Sequence, residues 1–268
     1  MITVIKIGGS LIASGPVENM LGDIARLLTT ESEKIVLVHG GGKIITEYSE
    51  RLGVKPTFIF SPEGIRSRYT DKETADIYNM VMGKINSQLV LGLAIKGVRA
   101  FGLSGIDGWT IRAERKKRLL IIDEKGRKRA IEGGYTGKVK EVNTGALSAL
   151  ISAGYLPVIS PVAIGFEGEA LNIDGDRTAA AIAAALKADR LVIFTDVEGL
   201  LMDGKLVEHM DRGEAKETLR KVGPGMDKKV MACIEALEGG VRESVISSGL
   251  VQHPLENALE GQHRTVIV

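Results

Sequence analysis

Apolar runs of strand length alternate with stretches of helical period along most of the chain. Thr3 to Ile7 is a short apolar run broken only by Lys6, and Ile35 to His39 is a second. Between them Val17, Met20, Leu21, Ile24 and Leu28 fall on one helix face. Pro16 stands near the start of that helix, where its missing N–H costs nothing. The alternation continues with a helix after GGGK to about Leu52, then a long helix through Ile77, Met80, Val81, Ile85 and Leu89. Thr70 and Glu73 read as the capping box that opens the long helix. Next come the strand VRAFGL, a helix through Leu147, Leu150 and Ile151, and the strand YLPVIS. An alanine-rich helix from about Arg177 leads to the strand LVIFTD. A last helix places Val230, Cys233, Ile234 and Leu237 on one face, before SVIS and TVIV. Buried strands separated by helices predict an α/β fold, with a mainly parallel central sheet sandwiched by helices.

Two interruptions break this rhythm. Residues 112–142 read as short antiparallel strands, with LLIID and RKRAI joined through Glu124, Lys125 and Gly126 as a basic β-hairpin insertion. A second interruption, near Gly165 to Gly168, precedes LNIDGD. With no low-complexity linker and no internal repeat, the expectation is one domain of two lobes, about 1–165 and about 166–268.

Composition narrows the class. At 268 residues with a net charge of +1, the chain carries no global footprint for nucleic acid or a membrane surface. Its single cysteine, Cys233, excludes an internal disulfide and fits a reducing compartment. No apolar stretch reaches membrane-spanning length, and strand-like residues from Ile2 leave no room for a secretory leader, so a cytoplasmic location is expected. The histidines His39, His209, His253 and His263 are dispersed, so no metal site is expected from them. His39 is expected to be structural and Cys233 an inert core thiol. The unusual figure is 33 glycines, residues suited to sharp turns and close backbone approach to a ligand.

In an open α/β sheet, ligands bind beyond the carboxyl ends of the strands, at helix N-termini. Three glycine-containing turns fall at such places: Lys6-Ile7-Gly8-Gly9-Ser10, His39-Gly40-Gly41-Gly42-Lys43 and Asn172-Ile173-Asp174-Gly175-Asp176. Successive N–H groups in such turns form anion-binding concavities. Neither GxxxxGK[ST] nor GxGxxG is present.

These stretches, in their order and spacing, resemble the amino-acid kinase family, the group of N-acetylglutamate kinase and carbamate kinase. IKIGGSLI, VHGGGK, the Arg-x-Thr of SRYTD, GYLPVISP, LNIDGDRTAAAIA, IFTDVEGLL and GMDKKV carry the resemblance over essentially the whole chain. It implies phosphoryl transfer from ATP, with Mg2+, to a carboxylate, giving an acyl phosphate and ADP. On the matching positions, Lys6 and Lys229 would reach the phosphates, and Asp176 would hold the two ammonium groups in place. Asp176 could also cap the alanine-rich helix, and Lys228 stands beside Lys229 as a neighbouring candidate. Gly8, Gly9 and Ser10 match the phosphate turn, and Thr195 and Asp196 the nucleotide side. Gly41, Gly42 and Asn172 would hold the accepting carboxylate, with Gly41 also a donor to the transferring phosphoryl group. Arg68 would clamp the α-carboxylate, and Arg66 competes for that role. Asp174 stands where the family's N-x-N-x-D turn has its second asparagine; whether it serves magnesium is open from the sequence.

Charge patterning points to one branch. Nine basic residues lie between 112 and 129 against three acids, a surplus of six in a chain of net charge +1. Arg112, Arg115, Lys116, Lys117, Arg118, Arg127, Lys128 and Arg129 form a candidate patch for an acidic partner; a solvated hairpin guarding a sheet edge is the alternative. SRYTD and the segment running to EGGYTGKV look most like the kinases acting on α-aminoadipate or glutamate linked to an acidic amino-group carrier protein. That resemblance implies a role in lysine, and in some archaea ornithine and arginine, biosynthesis. N-acetylglutamate kinase is the alternative within the family, and a non-catalytic sensor the alternative outside enzymes. A homodimer through the acceptor lobe is implied as well.

Overall fold

The computed structural model describes residues 1–14, 17–30, 33–62, 64–261 and 263–268; Pro16 lies outside them. The chain opens with β1 (Ile2–Ile7), α1 (Gly9–Ser14), α2 (Val17–Thr30), β2 (Lys34–His39) and α3 (Gly42–Arg51). Two short strands, β3 (Phe58–Phe60) and β4 (Arg66–Arg68), precede the long α4 (Lys72–Ile95) and β5 (Ala100–Ser104). Then follow β6 (Ile111–Arg115), β7 (Arg118–Ile122), β8 (Lys128–Glu132), β9 (Gly137–Val142) and α5 (Thr144–Ser152). Next are β10 (Leu156–Ser160), β11 (Val162–Gly165), β12 (Ala170–Asn172), α6 (Gly175–Ala185) and β13 (Arg190–Thr195). The chain ends with β14 (Leu201–Met202), β15 (Lys205–Leu206), β16 (His209–Met210), α7 (Arg212–Thr218), α8 (Met226–Glu238), β17 (Glu243–Ser248), α9 (Pro254–Glu260) and β18 (Arg264–Ile267).

Eight strands form the central sheet in the order β16-β18-β17-β13-β1-β2-β10-β5. Every pairing is parallel except β17 with β18, so the expected mainly parallel sheet is present. Its strands are apolar on both faces because helices cover both. Val4, Val36 and Val38 pack with Ala179, Ile182, Ala183 and Cys233 on one side. Ile5, Ile7, Ile35 and Leu37 pack with Met20, Ile24, Val81, Ile85 and Leu89 on the other. Lys6 shares the Val4 side of β1, at its carboxyl end, and so faces α6.

Three local expectations are corrected. The long helix is capped by Asp71, whose side chain accepts from the Thr74 N–H, and not by Thr70. Asp174, rather than Asp176, caps α6, accepting from the N–H groups of Asp176 and Arg177. The helix bearing Val230 and Cys233 is not the last: α9 follows it, opened by Pro254.

LLIID and RKRAI do pair antiparallel as β7 and β8, around Asp123 to Arg127. The hairpin belongs to a four-stranded sheet, β4-β3-β7-β8, with Phe60 paired to Ile122. A second small sheet, β12-β11-β6-β9, contains the strand just before α6 and packs on that helix through β9. Arg66, Arg68 and the basic hairpin therefore share one sheet, a relation that local sequence patterns do not contain.

Candidate functional site

Two lysines from opposite ends of the chain meet one carboxylate. Lys6 Nζ lies 2.6 Å from Asp176 Oδ1, and Lys229 Nζ donates to Asp176 Oδ2 at 3.1 Å. β1 brings Lys6 to the carboxyl edge of the sheet, the second position of α6 brings Asp176, and the first turn of α8 brings Lys229. Lys6 and Asp176 are each only 6% exposed, so water screens these charges little. Burial opposes the ionised form of Asp176, but the two ammonium groups outweigh it and hold the carboxyl below the usual range. Burial, aided by the Lys229 charge, lowers the Lys6 ammonium. Lys229 feels the same burial, yet Asp176 holds its value above that of a free lysine. Within this trio two positive charges face one negative, a net of +1, beside the glycine turns.

The turns meet backbone to backbone. A Cβ at Gly9 would lie 2.8 Å from the Gly41 nitrogen and 2.9 Å from that of Gly42, so only glycine fits. At Gly41 a Cβ would strike Ile85 and Met82, at 2.7 and 2.8 Å. Gly8 packs under the Phe194 carbonyl, with Ser10 following in α1. Gly175 opens α6 beside the Lys6 side chain. His39 is fully buried; burial, with the Lys6 charge, holds its imidazole down to about 4. Its Nδ1 contacts the Gly40 carbonyl at 3.1 Å and its Nε2 meets the Asn86 amide at 3.3 Å, so the ring braces the second turn.

On the other side of this turn, Arg68 Nη2 donates to the Gly42 carbonyl at 2.9 Å and to Thr46 Oγ1 at 2.6 Å. Its Nη1 is buried with no hydrogen-bond partner among the described residues. Burial pulls the guanidinium below its ordinary value. Arg66 is exposed and stacks over Phe58 at 3.6 Å. The two arginines thus differ: Arg68 offers an unused buried donor next to the glycine turn, and Arg66 does not. Asn172, at the end of β12, donates from Nδ2 to Thr70 Oγ1 at 3.0 Å. Two residues on, Asp174 caps α6 with Lys228 Nζ 3.7 Å from its Oδ2. Lys228 and Lys229 therefore serve different carboxylates. Thr195 is buried at the end of β13, its hydroxyl donating to Asp196 at 3.2 Å, and Asp196 lies within the electrostatic reach of Lys229.

The basic segment is more neutralised than its sequence suggests. Arg112 pairs with Glu141, Arg115 lies 3.9 Å from Glu132, and Lys117 pairs with Glu167. Arg127 and Arg129 both reach Asp123. Lys116, Arg118, Lys125 and Lys128 form no ion pair among the described residues. Cross-strand register puts Arg66, Phe60, Ile122, Lys128, Leu120 and Arg118 on one face of the β4-β3-β7-β8 sheet, with Arg68 at its far edge. Phe60 is 46% and Leu120 52% exposed, so this face joins an apolar stripe to positive charge, with the acid Glu132 on the same face opposite Arg118. Lys116 stands apart from it: burial lowers its ammonium, and Arg177, Asp174 and Lys228, from the N-terminal ends of α6 and α8, act on it as well.

Sequence reasoning passed over Thr70 as a partner of Asn172 and Asp174 as a cap. The Arg-x-Thr motif carried a signal for the first, since it sets a hydroxyl two residues from the arginine. Among the described residues no group of three or more His, Cys, Asp or Glu side chains is placed to hold a metal ion. No helix among them is long and apolar enough to cross a membrane.

With strand-end glycine turns facing a two-lysine, one-carboxylate centre, the chain belongs to the amino acid kinase family, which matches residues 1–248. Among its relatives is a putative LysW-aminoadipate/LysW-glutamate kinase of Cenarchaeum symbiosum, 52% identical over 268 residues and covering 100% of this chain and 99% of that one. The LysW-aminoadipate/LysW-glutamate kinase of Saccharolobus solfataricus is 46% identical over 258 residues, covering 96% of each. In fold the chain is similar to an N-acetylglutamate synthase of Neisseria gonorrhoeae, with a TM-score of 0.82 at 22% identity, over 100% of this chain and 59% of that one. It is also similar to carbamate kinase of Giardia lamblia bound to AMP-PNP, with a TM-score of 0.72 at 17% identity, over 100% and 98% of the two chains.

Proposed function

We propose that the protein is an ATP-dependent kinase for the side-chain carboxylate of α-aminoadipate or glutamate, whose amino group is linked to an acidic carrier protein. The products are an acyl phosphate and ADP. The observation that carries the phosphoryl-transfer step is the convergence of Lys6 and Lys229 on Asp176 beside the opposed Gly9 and Gly41 turns. The reading is supported by the relatives that share about half of this sequence, which are named as kinases of LysW-aminoadipate and LysW-glutamate.

The chemistry follows from charge. An acceptor carboxylate is already ionised near neutral pH, so no base is needed to remove a proton. One carboxylate oxygen attacks the γ-phosphorus of ATP, the bond from that phosphorus to the β-bridging oxygen breaks, and ADP leaves. What the protein supplies is positioning and charge neutralisation on the transferring oxygens. Lys6 and Lys229 provide ammonium groups, Asp176 fixes where they stand, and the N–H groups of Gly8, Gly9, Ser10 and Gly41 face the phosphates. Thr195 and Asp196 bound the nucleotide side. Asn172 and Gly42 receive the accepting carboxylate, while Arg68 turns its free Nη1 to the α-carboxylate. Magnesium would come carried on the phosphates of ATP and would neutralise further charge there; with Asp174 committed as a cap, the fit is to a nucleotide-borne ion rather than an all-protein cage. In this reading the acceptor binds in the lobe of about residues 1–165 and ATP in the lobe of about residues 166–268.

The carrier reading is supported by the face that joins Arg68 to Arg66, Lys128 and Arg118 across a single sheet. An acidic partner seated there holds its tethered amino acid at the Arg68 edge. A second copy of the chain is assigned to the β5 edge, where Phe101 and, on α4, Met80, Leu91 and Ile95 are exposed. The proposed setting is cytoplasmic. The deciding experiment measures ADP release side by side with carrier-linked glutamate, carrier-linked aminoadipate and N-acetylglutamate. Turnover of the carrier-linked acceptors with little of the acetylated one is expected. Preference for N-acetylglutamate refutes the carrier assignment, and no ADP release from any acceptor refutes the kinase assignment.

A further inference from the structure

Thr70 is fully buried and does not cap the helix that begins beside it. Its two oxygens instead close a ring of three hydrogen bonds. Its hydroxyl accepts from Asn172 Nδ2 at 3.0 Å. Its carbonyl accepts from the Tyr135 N–H at 2.6 Å, and the Tyr135 carbonyl accepts from the Asn172 N–H at 2.9 Å. The ring therefore fixes both the backbone and the amide of Asn172. Tyr135 lies just beyond the basic hairpin, after Gly133 and Gly134. Gly134 has φ 60°, and a Cβ there would lie 2.3 Å from the Thr70 carbonyl, so the backbone closes on Thr70 where no side chain fits. Arg115 ties the same spot from the hairpin side: its Nε donates to the Gly134 carbonyl at 2.6 Å, and its guanidinium stacks 4.3 Å from the Tyr135 ring.

We infer that Thr70 is a positioning residue for phosphoryl transfer: it orients the Asn172 amide toward the accepting carboxylate and links that amide, through Tyr135, to the root of the basic hairpin. The inference rests on the reading that Asn172 binds the acceptor. One Asn172 N–H is held by the Thr70 hydroxyl, which leaves the second N–H in a fixed direction. Without the hydroxyl the amide rotates about its side-chain bonds, and a reacting carboxylate displaced by a fraction of an ångström loses its alignment with the γ-phosphorus. The segment from Arg68 to Thr70 then serves both ends of the acceptor, with Arg68 at the α-carboxylate and Thr70, through Asn172, at the reacting one.

The test is a double-mutant cycle with carrier-linked acceptor and ATP, read as kcat and KM for each substrate. Thr70→Val is expected to lower kcat/KM for the acceptor about tenfold, with KM for ATP within about twofold of the parent. Thr70→Ser is expected to restore most of the loss. In an Asn172→Leu background, Thr70→Val is expected to add nothing, because the group it acts through is gone. Thr70→Ala replaces Thr70→Val if the latter fails to fold, and an unchanged rise of Tm with ATP shows that the nucleotide side is intact. A loss of the same size with and without Asn172 overturns the inference, as does a silent Thr70→Val beside a damaging Asn172→Leu. A serine variant as impaired as the valine variant also overturns it. A silent Asn172→Leu overturns the reading of Asn172 itself, and the inference with it.

Discussion

Replacing Asp176 with asparagine keeps the side chain's size and removes the only carboxylate among the described residues within ion-pair distance of both Lys6 and Lys229. At separations of 2.6 and 3.1 Å, an effective dielectric near 20 gives gross attractions of about 6 and about 5 kcal/mol. Desolvation of three buried groups offsets much of this. Breaking a buried pair from one side therefore costs about 3–5 kcal/mol net, since the partner charge stays buried. Here two ammonium groups are left facing each other, so the upper part of that range is expected for Asp176→Asn. Urea denaturation at pH 7 should show the loss as a lower midpoint with an unchanged slope. ADP release should fall at least about 100-fold, because the charge donors are no longer held in place. The double variant Lys6→Met with Asp176→Asn separates the two effects: removing one uncompensated ammonium should return most of the stability and none of the activity. If Asp176→Asn stays within about 1 kcal/mol of the parent and turns over normally, the three groups do not form the electrostatic unit that their distances describe.

Acid should destabilise the fold through His39. Its imidazole has a value of about 4 in the folded chain and about 6.5 unfolded, so the unfolded state binds more protons between these values. Stability should be full above about pH 6.5 and fall by about 3 kcal/mol as the pH drops to about 4; a His39→Gln variant whose urea midpoint falls just as steeply over that window refutes this. Arg68→Lys should raise KM for the acceptor about tenfold or more, since a point charge replaces a two-pronged donor, while Arg66→Lys changes it little; equal effects in steady-state assays refute the distinction drawn from burial. Gly9→Ala should abolish most ADP release, because the added methyl would lie 2.8 Å from the Gly41 nitrogen, and near-parental turnover refutes the close approach. Reversing Arg118, Lys125 and Lys128 together should weaken carrier binding and its salt dependence, with screening over about 8 Å at physiological ionic strength, while KM for ATP holds; a carrier KM that is unchanged and insensitive to salt removes the hairpin from docking.

Much of the central sheet was legible because its strands are apolar on both faces and its glycine turns sit at strand ends. The short helices α7 and α9, of seven residues each, span too few turns to show a periodic face. Thr70 and Asp71 are adjacent residues of capping type, and only the folded chain, which gives the Thr70 hydroxyl to Asn172 and its carbonyl to Tyr135, decides between them. Arg66 and Arg68 lie on the same face of β4, so alternation does not separate them; burial does. The surplus of positive charge between residues 112 and 129 was visible as a count. Its partners Glu132, Glu141 and Glu167 lie outside that window, and only the folded chain brings them back.

The β4-β3-β7-β8 sheet has a consequence for selectivity. On the proposed reading, a partner gripping β7 and β8 while a tethered carboxylate meets Arg68 on β4, the opposite edge strand, is held by the two ends of a single ruler. Reach along that ruler, rather than shape alone, then sorts acceptors: a free amino acid engages one end only, and a tether of the wrong length engages neither end well.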